Sequence, residues 1–71
     1  MEKAIMNFQV GDFLRFIQHG AKPNLYCIVV QKFDAYNAEV FWIKPAANQQ
    51  PFTQAVNLQK SWSGIYEKAS Q

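Results

Sequence analysis

The chain has 71 residues, a net charge of +2, and side chains that are 49% hydrophobic and 15% aromatic. A chain of this length is one domain, 1-71, and buries only roughly 60% of its unfolded surface, so it needs a core rich in large apolar groups. That composition excludes a disordered chain, and the mild charge permits contact with nucleic acid without requiring it.

In chain order, Met6, Phe8 and Val10 alternate with Asn7 and Gln9, which predicts a half-buried strand. Gly11-Asp12 breaks that run, because glycine frees the backbone to turn and a short carboxylate bonds nearby backbone groups. Phe13 to Ile17 resumes in extended form, with Leu14 and Phe16 on one face and Phe13, Arg15 and Ile17 on the other. His19 to Asn24 is a loop, marked by Gly20, Pro23 and Asn24. Leu25 to Phe33 is the strongest strand signal: it is β-branched and aromatic, with no glycine or proline. Asp34 to Asn37 supplies turn residues, and Ala38 to Lys44 follows as the second arm of a hairpin. Pro45 to Pro51 reads as a polar surface loop.

The remaining tail supports two patterns. Gln54, Val56 and Leu58 fit a strand face, whereas Leu58, Trp62, Ile65 and Tyr66 fit helical spacing. Gly64 disfavours a continuous helix, at a cost of about 1 kcal/mol relative to alanine. The expectation is a strand from Thr53 to Leu58, a helical turn from Gln59 to Trp62, and a last strand from Gly64 to Lys68. An isolated hairpin is only marginally stable, so the Leu25 to Lys44 pair needs the first and last segments as partners. The fold class is therefore all-β: a small five-stranded barrel, with a short helical turn before its last strand.

Cys27 is the only cysteine, which rules out an intramolecular disulfide. Set inside an apolar run, it reads as a buried, reduced small hydrophobe, and the compartment it implies is reducing. No apolar run reaches the roughly 20 residues of a membrane span, and MEKAIMNF lacks the apolar stretch of a signal peptide. The expectation is a soluble cytoplasmic protein with no membrane partner.

Phe8, Val10-Gly11-Asp12 and Arg15-Phe16 resemble the opening of small SH3-like barrels, KOW-type domains among them, whose first strand often follows a V-G-D-x-V pattern. Ile28-Val29-Val30 and the Val40, Trp42 pair are similar to the second and third strands of such barrels. The arrangement over residues 8 to 44 also resembles short tailed-bacteriophage proteins of uncharacterised role. The resemblance implies an SH3-like barrel and, for a phage protein, a place in the host cytoplasm.

Catalytic chemistry has little to stand on. His19 is the only histidine, so with a single cysteine no zinc set can be written. A Ser-His-Asp set drawn from Ser61 or Ser63, His19, and Asp12 or Asp34 has no supporting spacing. The three glycines are isolated, so there is no phosphate-binding loop, and no cofactor is implied. The expectation is a protein that is not an enzyme.

What remains is a set of aromatic and basic groups. Trp62 and Tyr66 either close the bottom of the barrel or, standing outside it, form a patch for a protein partner. The leading expectation is a non-catalytic protein-interaction module, an accessory phage protein binding a host or virion protein. The alternative is a small nucleic-acid-binding barrel using Arg15, Lys32, Tyr36, Lys44 and Lys60, with Tyr36 stacking on a base from the hairpin turn. A third reading is a structural homo-oligomer subunit, joined by edge pairing or through Trp62.

Overall fold

The computed structural model describes residues 7–43, 50–59 and 61–69. It is an all-β fold of five antiparallel strands in one sheet: β1 (Phe13–Gln18), β2 (Leu25–Lys32), β3 (Asn37–Trp42), β4 (Phe52–Asn57) and β5 (Gly64–Lys68). The spatial order is β4-β3-β2-β1-β5. Four strands thus follow one another as a meander, and the last returns to the far side of the first.

Alternation decides which face is buried. Cross-strand partners share a face, and the register pairs Leu14 with Cys27, Cys27 with Trp42, and Val29 with Val40. All five are buried, and with Phe8, Phe16, Ala38 and Leu58 they form the core. Val29 and Trp42, at 1% and 5% exposure, point into the protein. The opposite face carries Phe13 stacked on Tyr26, with ring centroids 5.5 Å apart, and Arg15, which bonds Glu67 across the β1–β5 ladder.

The sheet bends strongly over its buried face. The Trp42 ring on β3 lies 6.2 Å from Tyr66 on β5, and Phe16 on β1 lies 5.9 Å and 4.6 Å from the two. In a flat sheet the intervening strands β2 and β1 would hold β3 and β5 about 14 Å apart, at roughly 4.8 Å per step. The bend stops short of closure. No ladder joins β4 to β5 among the described residues, so the sheet has two edges and is not a closed barrel.

The strand order shows why closure is hard. Every ladder is antiparallel. Alternating directions from β1 to β4, with β5 opposed to β1, leave β4 and β5 running the same way. Direct closure would need a parallel pair, which is the weaker pairing.

Two local expectations are corrected. The alternation of Met6, Phe8 and Val10 is not a strand. Met6 lies outside the described residues, 7–9 are irregular, and Val10 is 60% exposed. The cause is a turn: Asp12 N–H donates to Gln9 C=O at 3.1 Å, and Gly11 takes φ +97°, the sign that such a turn requires at its third residue. Gly11 N–H donates to Val29 C=O and Val29 N–H to Asp12 C=O, so two residues oppose one, as in a bulge. Phe8 is left as a plug, 1% exposed, with the Lys32 ammonium 4.9 Å from its ring.

The helical turn expected from Gln59 to Trp62 is not seen at 59, 61 and 62, and Lys60 lies outside the described residues. Among the described residues there is no helix, and 58–59 and 62–63 are bends. The Asn57 side-chain oxygen accepts the Gln59 N–H at 2.9 Å, and Ser61 Oγ accepts the Ser63 N–H at 3.4 Å. Side chains that capture nearby N–H groups in this way compete directly with a helical turn.

Candidate interaction site

Between the β4 edge and the segment entering β5 lies an open cleft of about 500 Å³. Its floor is aromatic: Phe16, Trp42 and Tyr66 come from β1, β3 and β5 because all three occupy inward positions of the bent sheet. One wall is the inward face of β4, Phe52, Gln54 and Val56, which the register sets opposite Trp42, Val40 and Ala38. Gln54 is fixed there, accepting the Trp42 indole N–H at 2.9 Å. The other wall is Ser61-Trp62-Ser63.

Trp62 stands at the rim with 99% of its surface exposed, the largest exposure among the large hydrophobic side chains described, and Phe52, also lining the cleft, is 41% exposed. Tyr66 is half-buried, and burial, with the nearby Cys27 thiol as a smaller contribution, raises its hydroxyl above the ordinary tyrosine value. It stays neutral across physiological pH. Among the described residues, none of the lining side chains is charged. The cleft therefore offers flat apolar rings, amides and hydroxyls, a mixture suited to a polypeptide rather than to an ion.

The structure brings Trp62 and Tyr66 together on this cleft, one at the rim and one in the floor. It separates the residues of the nucleic-acid alternative. Arg15 lies on the outer face, its guanidinium paired with Glu67, and that hydrogen bond holds its pKa above the ordinary arginine value. Lys32 pairs with buried Ala38, so it lies on the core-side face at the exposed end of β2, where its ammonium bonds the Phe8 carbonyl at 3.2 Å. Opposite Tyr26, Arg15 sits six residues along β2 from Lys32, a span of roughly 20 Å, and on the other face. Tyr36 lies in the β2–β3 turn at 36% exposure, whereas Lys44 and Lys60 fall outside the described residues.

Other reactive groups are occupied locally. The Asp12 carboxylate accepts the Gln9 N–H at 2.8 Å and lies 3.4 Å from the Lys68 ammonium. The Asn37 side-chain amide, together with backbone N–H bonds from Tyr36 and Asn37 at 2.8 Å each, holds the Asp34 carboxyl below the usual carboxylate range. Burial pushes the Cys27 thiol up to about 12, so it stays protonated and inert. Among the described residues no three His, Cys, Asp or Glu side chains gather as a metal cluster, and no helix is long and apolar enough to cross a membrane.

Sequence reading set Gln54 and Val56 on one face of a strand but left out Phe52 and assigned none of the three to a site. Phe52 follows Pro51 and begins the alternation Phe52, Gln54, Val56, a period-2 signal that would have placed it beside Gln54. No family model, curated protein or solved structure matches this chain.

Proposed function

We propose that the chain is a non-catalytic protein-interaction module that binds its partner at the cleft between β4 and β5. The observation that carries this reading is Trp62: a tryptophan 99% exposed, on one cleft with a half-buried tyrosine and a partly exposed phenylalanine, and with no charged side chain among the described lining residues. Exposed aromatic side chains beside apolar neighbours lose surface to water only when a partner covers them, and such rings dominate binding energy where they occur.

The scaffold we propose is an SH3-like barrel with one open seam. What supports it is the bend that carries β3 and β5 rings into contact, and the return of β5 alongside β1. With the phage-like character of residues 8 to 44, the partner class is a host or virion protein met in the host cytoplasm. The free, buried Cys27 thiol fits a reducing compartment.

The test compares folded wild type with Trp62→Ala as bait in a host-cell lysate. The reading expects a defined protein retained by the wild type and lost by the variant. An identical retained set from both, or none from either, overturns it.

A further inference from the structure

We infer that the partner enters this seam as an extended strand, antiparallel to β4 and β5 at once, completing the sheet that the chain leaves open. The inference rests on the interaction reading above and names the form of the partner.

The backbone at both edges is aimed at the gap. Leu58 N–H donates to Tyr36 C=O, and residues 36 and 58 continue the β3–β4 register, so the hydrogen-bonded pairs of that ladder fall at 52, 54 and 56. Thr53 and Ala55 therefore turn their N–H and C=O groups away from β3 and towards the edge. On the other side, His19 N–H donates to Ser63 C=O and Ala69 N–H to Phe13 C=O, so 65 and 67 bond β1. Tyr66 thus presents its N–H and C=O outward while its ring lies in the cleft.

Direction favours a single inserted strand. Since β4 and β5 run the same way, one segment running the opposite way is antiparallel to both, the better of the two pairings. Chemistry narrows it further. β4 is Phe-Thr-Gln-Ala-Val-Asn, six residues with no charge, no proline and no register shift against β3. It lacks the devices that normally deter strand addition. With no charged side chain among the described residues of the cleft below, the segment's inward positions are apolar or neutral at every second residue, and its outward positions are unconstrained.

The test uses the full chain and a display library of random decapeptides, with enriched sequences synthesised and added to isotope-labelled protein. Strand addition expects apolar residues at alternate positions. It also expects amide exchange at Thr53, Ala55 and Tyr66 to slow by at least about tenfold. Ala55→Pro, whose missing N–H is one that β3 does not use, is expected to stay folded and lose on the order of tenfold in affinity. Thr53→Pro repeats the logic, and exchange in the wild type needs no variant. Peptides whose binding depends on Trp62 but ignores Ala55→Pro, with exchange unchanged, overturn strand insertion and leave the interaction reading standing. No enrichment, or binding indifferent to Trp62→Ala, overturns both.

Discussion

At the scale of single residues, the chain depends on positions whose roles are steric or local. Gly64 pairs with Gln18, and a Cβ built on it would lie 2.2 Å from the Ile17 carbonyl oxygen and 2.9 Å from the Phe16 ring. Backbone on one side leaves no room to yield. Gly64→Ala should therefore cost about 1–3 kcal/mol or more by overpacking, read as a lower denaturation midpoint with an unchanged slope. Asp34 works through hydrogen bonds, taking two backbone N–H groups and the Asn37 amide in the hairpin turn. Because its folded pKa is depressed, its contribution is fully present above the unfolded value of about 3.9 and is lost as pH falls through the folded one. Thermal melts between neutral and strongly acidic pH should show a shallower acid slope in Asp34→Ala than in the wild type. An equal slope in both would assign the acid sensitivity to other carboxylates.

At the scale of elements, the parity of β4 gives a sharp contrast between neighbours. Val56 bonds β3 through its backbone and Ala55 does not. Val56→Pro should cost at least about 1–3 kcal/mol by stranding the Ala38 carbonyl opposite, while Ala55→Pro, one residue away, should leave the melting temperature near the wild type's. Similar losses in both would mean the register is displaced by one. This parity was legible in advance for the inner strands. Leu14, Phe16, Val29 and Val40 alternate with outward residues and are buried as the alternation requires. It failed where a turn interrupts it, since Phe8 has the right spacing for a strand but is held by the Val10-Gly11 reversal. In the tail the alternation held for the two strands, with Gln54 and Val56 on one face of β4 and β5 at Gly64–Lys68, and only the helical spacing between them misled. Leu58 and Trp62 have helical spacing, yet one is 7% and the other 99% exposed, so they share no face. Side-chain capture by Asn57 and Ser61 decides that segment, and a hydrophobic pattern does not register it. Of the cleft, Trp62 and Tyr66 were visible as aromatic residues in the tail. Phe52 and Gln54 belong to it only because β4 pairs with β3, a long-range fact.

At the scale of the whole molecule, nine buried core side chains among the described residues hold a sheet whose β4 and β5 edges no described strand pairs, and Phe8 joins that core from outside the sheet. Folded domains are stable by about 0.05–0.15 kcal/mol per residue, which for this chain of 71 residues is on the order of 4–10 kcal/mol. Removing a buried phenylalanine side chain costs about 3–5 kcal/mol, a large share of that total. Phe8 also gives Lys32 its ring contact, so truncation to alanine, which keeps the backbone carbonyl that the ammonium bonds, leaves that ammonium beside a cavity. Phe8→Ala is therefore expected to be largely unfolded at 37 °C, even though the residue belongs to no strand. Tryptophan fluorescence reads this directly, because Trp42 is 5% and Trp62 99% exposed. In the folded wild type a soluble quencher reaches one population and spares the other. In Phe8→Ala both should be quenched alike, and Trp62→Phe in the wild-type background should leave only the protected one. A Phe8→Ala protein that keeps a protected tryptophan would show that the five-stranded sheet holds its core without the plug, and that the N-terminal turn is an accessory to the fold.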